Sequence, residues 1–518
     1  MKKSPARMLE VMDTTLRDGE QMQHVSYTLE EKLTLSKILL TEVKIDRLEI
    51  TSAKVSEGEK QSVVEIVKWA KEVDLVKHLE ILGFVDGKQS VDWALSTGIK
   101  TINLLTKGSY KHCTEQLRKT PEKHLEDITA TIGYAVDNDI VINVYLEDFS
   151  NGIKDSPDYV HHMIDHLKTL PVKRIMLPDT LGIFEPFETY EYLSKLLAHY
   201  PNTHFDFHSH NDYGLGTANA LAAIKAGVQG VHATINGMGE RAGNASLDEV
   251  VIAAKDFLDV YVNIDESKLY RASQYVETFS GQRMANNKPI YGKNVFTQTA
   301  GIHADGDKKG NLYGNRLAPE RFGRKKRYAL GKLSGRANLD MSLRELDIEL
   351  TEEQKQILLK KIIELGDKKE FVTPEDLPYL ISDIFETLKT VPFKLISYSI
   401  NAAYQLKPVA TIRCAYHGNE MEAYAQGDGG YDAFMNALKR VLQAFKLPIP
   451  QLVDYTVTIP PGGKTDALVQ AAISWKIRQR NGEIITVTTR GVRSDQNLAA
   501  IEATIKIINM SISHQNPY

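Results

Sequence analysis

Phe205-Asp206-Phe207-His208-Ser209-His210-Asn211-Asp212 decides the reading of this chain. It closes a strand-like run and opens into a polar turn. Residues two apart on a strand share a face, so His208 and His210 aim their imidazoles the same way. With 15 histidines in 518 residues, chance alone gives about 0.4 such pairs. The spacing by itself therefore decides nothing; its place at the end of a strand does.

Seven similar runs surround it. Strands are expected over Leu9–Asp13, Arg47–Ser52, Leu79–Phe84, Thr101–Leu105, Val141–Leu146, Arg174–Pro178, His204–Phe207 and Gly230–Ile235. Helical patterns such as Glu59–Glu72 and Tyr159–Leu170 separate them. This alternation implies a parallel sheet with crossover helices. Eight repeats over this length predict a (β/α)8 TIM barrel. A doubly wound sheet is the alternative, but no G-x-G-x-x-G follows the first strand. Active sites of such barrels lie at the C-terminal strand ends. Arg17, Asp18, Glu147, Asp179, Thr180, His208, His210 and Asn236 all fall there.

The chain continues past the barrel. Residues 1–268 are assigned to a catalytic barrel, 269–390 to a flexible connecting region, and 391–518 to a C-terminal α+β domain. That last part holds a duplication. One βββα unit spans Leu395–Ile400, Val409–Ala415, Glu420–Tyr424 and a helix from Tyr431 to Phe445. The other spans Asp454–Ile459, Leu468–Ile477, Ile484–Thr489 and a helix from Asp495 to Ile508. His417-Gly418-Asn419 and Arg480-Asn481-Gly482 supply hairpin turns. Paired units of this kind suit a regulatory or assembly domain.

The bulk numbers narrow the function. The length calls for two or three domains. Net charge is −4 and the pI about 6.5, which gives no reason to expect nucleic acid. The two cysteines, Cys113 and Cys414, do not make a disulfide framework. No apolar h-region follows the first lysines, and no apolar stretch reaches membrane-spanning length, so a cytoplasmic protein is expected.

Leu16-Arg17-Asp18-Gly19-Glu20-Gln21 carries the other half of the site. A closed barrel brings strands one and seven to the same mouth, so Asp18 is the natural third ligand beside His208 and His210. Its alternative reading is a helix N-cap. Two imidazoles and a carboxylate suit Zn2+, Mn2+ or Co2+, and Mg2+ less well, with positions open to substrate. Such an ion acts as a Lewis acid on a carbonyl. Arg17 can offset a developing oxyanion or form a surface ion pair. Glu147 is a candidate general base, and Thr180 a hydrogen-bond donor to a carboxylate. Gly237–Asn244 is a glycine-rich turn that binds an anion or serves as a tight loop. The run Arg324-Lys325-Lys326-Arg327 reads equally as a solvated face or as a contact for an anionic cofactor.

Together these segments closely resemble the α-isopropylmalate synthase and homocitrate synthase family, which includes citramalate synthases. The first family signature matches Leu16–Gln21 with Lys32, and the second matches His208–Gly214. Gly239–Asn244, His303–Gly306 and Gly331–Arg336 match further family segments. The resemblance spans nearly the whole chain. It implies condensation of acetyl-CoA, as co-substrate, with a 2-oxo acid, followed by thioester hydrolysis. It makes Asp18, His208 and His210 metal ligands with Asn244 nearby, and Arg17 and Thr180 the groups that hold the oxo acid. Glu147, His303 and Tyr313 would move protons, the last two from a region closing over a barrel, that of a partner subunit in a homodimer. The terminal domain would bind a feedback amino acid, isoleucine or leucine, around Tyr431 and Tyr455. Leu82, Leu105 and Tyr145 resemble the pocket of citramalate synthases. Their bulk favours pyruvate over 2-oxoisovalerate, and no extra cation is evident for the distal carboxylate of 2-oxoglutarate. A related lyase shares the first signature and both histidines but needs a cysteine in a loop after the barrel, where neither Cys113 nor Cys414 falls. A non-catalytic amino-acid sensor would keep the terminal domain but need not retain Asp18 or His303, and both are present.

Overall fold

Each run of buried β-formers in the first half of the chain becomes one strand of a closed parallel barrel. The strands are β1 (Glu10–Asp13), β2 (Arg47–Ser52), β3 (Leu79–Phe84), β4 (Thr101–Lys107), β5 (Val141–Glu147), β6 (Val172–Asp179), β7 (Phe205–Ser209) and β8 (Gly230–Ala233). β8 pairs back onto β1 and closes the ring. These strands are seen in a computed structural model, which describes residues 7–298, 314–346, 348–367, 392–458, 469–478 and 484–515 and isolated positions between 306 and 384.

Every expected strand lies on an observed one, with ends moved by a few residues. Ile235 is the exception: it opens a turn in which Asn236 takes φ 64°. Local chemistry starts the outer helices. Thr28 and Glu31 form a reciprocal capping box, and the Ser56 side chain accepts from the Glu59 N–H. Pro121, Pro157 and Pro186 sit at or next to the first helical position, where no N–H is needed.

One pairing has no clear sequence signal. Arg7–Met8 adds a two-residue parallel strand beside Val260–Tyr261. The Arg7 guanidinium donates to the carbonyls of Ile224, Gly227 and Val228. It thus caps the negative end of the Gly216–Ala226 helix.

Inside the barrel lies an ionic layer. Arg47 pairs with Asp206, with Glu80 at 3.3 Å and with Glu10 at 3.4 Å. Arg174 pairs with Glu10 and lies 3.8 Å from Asp206. Burial opposes the Asp206 charge, but Arg47 and the histidines outweigh it and hold the carboxyl well below its usual range. Breaking such a buried set strands a charge. Arg47→Met is expected to cost about 3–5 kcal/mol, read as a lowered urea midpoint. A change under about 1 kcal/mol would mean that Arg174 alone compensates Asp206. A second inner cluster is apolar: Met12, Leu82, Tyr145 and Met176, with Phe84 and Leu105 against them.

The connecting stretch carries more order than its weak periodicity implies. Helix Glu266–Ser280 packs on the barrel's core cluster through Leu269, Ala272 and Val276. Arg324 donates to the carbonyls of Ile290, Gly292 and Lys293 at 2.9–3.1 Å. Its guanidinium also lies over the rings of Tyr270 and Phe296. Of the run, Arg324 is therefore part of the scaffold, with its terminal nitrogens already donating to carbonyls. Further on, Leu330, Leu339, Leu343, Leu358 and Ile362 build a small core of their own. The described residues divide into two compact units, the first ending at Tyr328 and the second beginning at Ala329.

The duplication is plain in the second unit. β9 (Phe393–Asn401), β10 (Val409–Tyr416) and β11 (Asn419–Gln426) form one antiparallel sheet, followed by helix Gly430–Ala444. β12 (Gln451–Thr458), β13 (Val469–Arg478) and β14 (Ile484–Arg493) form the second, followed by helix Gln496–Gln515. The β10–β11 turn uses positive φ at His417 and Gly418, as a tight hairpin requires. Arg480 to Gly482 lie outside the described residues. The last helix serves both halves: Ile501, Ile508 and Ile512 enter the first core, and Ala499, Ala503 and Ile507 the second. The rings of Tyr431 and Tyr455 lie 5.1 Å apart, and the Tyr431 hydroxyl is 2.6 Å from Thr504 Oγ1. No helix among the described residues is long and apolar enough to cross a membrane.

Candidate active site

Asp18 reaches the barrel mouth on a tight turn. The Thr14 carbonyl accepts from the N–H groups of Arg17, Asp18 and Gly19 at 2.8–3.1 Å. The buried Lys32 ammonium clamps the same turn, touching the Leu16 carbonyl, Glu20 at 2.7 Å and Glu59 at 2.6 Å. Asp18 precedes a short helical turn, yet its side chain makes no capping bond there. The N-cap reading therefore fails.

The Asp18 carboxylate instead faces the histidines. His208 Nε2 lies 3.3 Å from Asp18 Oδ2 and 3.3 Å from His210 Nε2. All three residues are buried, and one ligand atom from each lies within 4.8 Å of the others. Four buried polar atoms around them have no hydrogen-bond partner: Asp18 Oδ1, His208 Nδ1, His210 Nδ1 and Asn244 Oδ1. Two imidazole nitrogens and a carboxylate converging this way form a donor set that fits a divalent cation.

The electrostatics agree. Burial opposes the Asp18 charge, but Arg17 and the imidazoles outweigh it and hold the carboxyl below its usual range. Burial and the neighbouring His208 push the His210 imidazole down to about 4, which leaves its lone pair free at neutral pH.

The glycine-rich turn positions the fourth polar group. Asn244 forms a β-bridge with His210, and its Nδ2 donates to the Met238 carbonyl at 2.9 Å. Gly239 has φ 148°, and a Cβ there would lie 2.2 Å from Asn244 Nδ2. Of the two readings of this segment, the tight loop accounts for what is seen. Arg241 closes its rim by a bidentate pair with Asp212 at 2.7 and 3.0 Å.

Arg17 sits beside the cluster. Its Nε donates to Glu49 Oε2 at 2.6 Å, and Nη1 is 3.4 Å from Asp18 Oδ2. Burial disfavours the guanidinium charge, but Glu49 and Asp18 more than restore it. Glu49 is itself held by Asn103 at 2.8 Å. Glu147 ends β5 and pairs with Lys107, which ends β4 in register with it. Thr180 Oγ1 accepts from the Asp148 N–H at 2.9 Å, which leaves its hydroxyl proton for another acceptor. Leu82, Leu105 and Tyr145 belong to the apolar cluster inside the barrel, and the Tyr145 ring meets the His208 ring edge-on at 6.3 Å. His303 and Tyr313 lie outside the described residues.

Glu49, Lys107, Asp206 and His232 are additions to the expected set. Glu49, Asp206 and His232 stand within expected strand runs as charged or titratable residues, and Lys107 lies two residues past the expected end of its run.

The chain matches three family models in succession. Residues 8–276 match the HMGL-like model, 290–370 the homocitrate synthase post-HMGL domain-like model, and 371–512 the LeuA allosteric (dimerisation) domain. It is 33% identical to a protein of Archaeoglobus fulgidus named "Putative (R)-citramalate synthase CimA", over 97% of this chain and 99% of that one. It is 31% identical to the "(R)-citramalate synthase CimA" of Methanocaldococcus jannaschii, over 98% of this chain and 100% of that one. It is also 32% identical to a "Probable 2-isopropylmalate synthase" of Methanopyrus kandleri, over 96% and 97%. With its barrel, connecting segment and duplicated terminal domain all matched, the chain belongs to the HMGL-like family, in the group of α-isopropylmalate, homocitrate and citramalate synthases.

Proposed function

We propose that the protein condenses acetyl-CoA with pyruvate and hydrolyses the thioester, giving (R)-citramalate and free CoA. The observation that carries this reading is the Asp18–His208–His210 cluster beside the bulky wall of Leu82, Leu105 and Tyr145. The near full-length likeness to a protein named (R)-citramalate synthase supports it.

A divalent cation held by Asp18, His208 and His210, with Asn244 close by, would draw electrons from the keto oxygen of the acceptor; Zn2+, Mn2+ and Co2+ suit these ligands better than Mg2+. The Thr180 hydroxyl donates to the acceptor's carboxylate. Arg17 stabilises the negative charge that gathers on the keto oxygen as the new C–C bond forms. Glu147, paired with Lys107, takes the methyl proton of acetyl-CoA or orients the group that does. His303 and Tyr313 complete proton transfer to the new hydroxyl. Water then cleaves the thioester, and CoA leaves as the thiol. The protein works as a cytoplasmic homodimer, and isoleucine bound around Tyr431 and Tyr455 restrains it.

The likeness to a 2-isopropylmalate synthase favours a second reading, with 2-oxoisovalerate as acceptor and leucine as inhibitor. One extra methylene is worth about 1–3 kcal/mol in an apolar pocket, so the acceptors are separable by rate. Free CoA should appear fastest with pyruvate, slower with 2-oxoisovalerate and slowest with 2-oxoglutarate, and a chelator should stop it. Fastest release with 2-oxoisovalerate would establish the second reading. No release with any oxo acid would end both.

A further inference from the structure

Next to His208 runs a chain of buried polar groups that the chemistry above does not use. The Tyr145 hydroxyl lies 3.1 Å from His232 Nδ1. On the far side of that ring, His232 Nε2 lies 3.2 Å from Asp206 Oδ2. None of the three residues is more than 3% exposed. His232 also stands in register with His208 on the neighbouring strand, and their rings meet at 5.6 Å.

The proton positions follow from the surroundings. Asp206 is ion-paired with Arg47, and its carboxylate offers only acceptors. His232 must therefore donate its Nε2 proton to it. The bond to Asp206 places the ring proton on Nε2, facing the carboxylate, and leaves Nδ1 toward the Tyr145 hydroxyl. Its Nδ1 is then an acceptor, and the Tyr145 hydroxyl is the donor. That proton is committed to His232 and is withheld from any ligand. Toward Leu82, Leu105 and Met176 the tyrosine presents ring carbon.

We infer that His232, backed by Asp206, is a positioning residue that anchors the Tyr145 ring and so fixes the size of the pocket measuring the 2-oxo acid side chain. The inference rests on the acceptor pocket described under the proposed function. It assigns a selectivity role to two residues that touch no substrate. A histidine that merely fills the core would affect stability when removed and leave selectivity alone.

Equilibrium binding to the Mn2+-loaded full-length protein separates the cases. Dissociation constants for pyruvate and 2-oxoisovalerate are measured by calorimetry in wild type, His232→Leu, His232→Gln, Tyr145→Phe and the Tyr145→Phe/His232→Leu double variant. Wild type should prefer pyruvate. His232→Leu should narrow that preference about tenfold, with Mn2+ affinity changed less than about threefold. His232→Gln, which can accept from Tyr145 and donate to Asp206, should restore most of the preference. Tyr145→Phe should narrow it too, and adding His232→Leu should narrow it no further, because both act through one hydrogen bond.

An unchanged preference in His232→Leu overturns the inference, and so does a loss that tracks Mn2+ affinity, which would place the effect on His208. If His232→Leu does not fold, an unchanged preference in Tyr145→Phe overturns it equally. Binding of pyruvate without CoA release would fail the proposed reaction and leave the anchor to be judged by the binding ratio. Failure of every oxo acid to bind would remove the pocket and this inference with it.

Discussion

His208→Ala should lower turnover by about 10³-fold or more, since losing a single preorganised donor at an oxyanion site already costs about 10²–10³. The loss should come with a loss of bound metal. His208 is the only member of the cluster within hydrogen-bonding distance of both others, 3.3 Å from Asp18 and 3.3 Å from His210. Removing it leaves a carboxylate and one imidazole, too few to hold the ion in place. Asp18→Asn should act the same way, because it discards the one negative ligand. Metal content after dialysis and thiol release from acetyl-CoA with pyruvate check both variants. Near-normal turnover by His208→Ala would reject the assignment of the site.

Arg17 is expected to show the second-largest effect. Arg17→Ala should lower kcat by about 10²–10³-fold, with a smaller change in KM, because its charge matters most as the oxyanion forms. Arg17→Lys should recover little. The guanidinium bonds Glu49 through Nε while Nη1 faces Asp18, and a lysine ammonium cannot span that fork. The alanine variant also leaves the buried Glu49 without its cation, so part of its defect will be lost stability. An Arg17→Ala/Glu49→Gln double variant separates the two effects. Its melting temperature should rise above that of Arg17→Ala while turnover stays low. Recovery of turnover together with stability would show that Arg17 serves the fold alone.

The barrel was legible because a parallel sheet is buried on both faces. Runs such as Val144–Leu146 and Ile175–Leu177 carry that burial in their composition. The convergence of Asp18, His208 and His210 was legible because strand-end chemistry repeats at two distant places, Arg17-Asp18 and His208–His210. Other features depended on register, which composition does not reveal. Glu49 reads as an interruption in an apolar run until closure of the ring sets it against Arg17 and Asn103. Asp206 and His232 become one unit only because β7 and β8 pair with His208 opposite His232. Lys107 lay just beyond the expected end of its strand, and it meets Glu147 only through the β4–β5 register. The connecting region was read as loose because its core is assembled from scattered leucines. The run holding Arg324 was read equally as a solvated face or as a contact for an anionic cofactor, whereas the carbonyls of Ile290, Gly292 and Lys293 take up donors of Arg324.

In the proposed reaction, Asp18, His208 and His210 grip one ion that meets the acceptor's keto oxygen. Anomalous diffraction from crystals of the full-length protein grown with Mn2+ and pyruvate tests it most directly. A single strong peak is expected about 2.0–2.2 Å from a carboxylate oxygen of Asp18 and from one ring nitrogen of each histidine, with pyruvate oxygen completing the shell. A peak elsewhere, or pyruvate bound in the barrel out of reach of that ion, would contradict it.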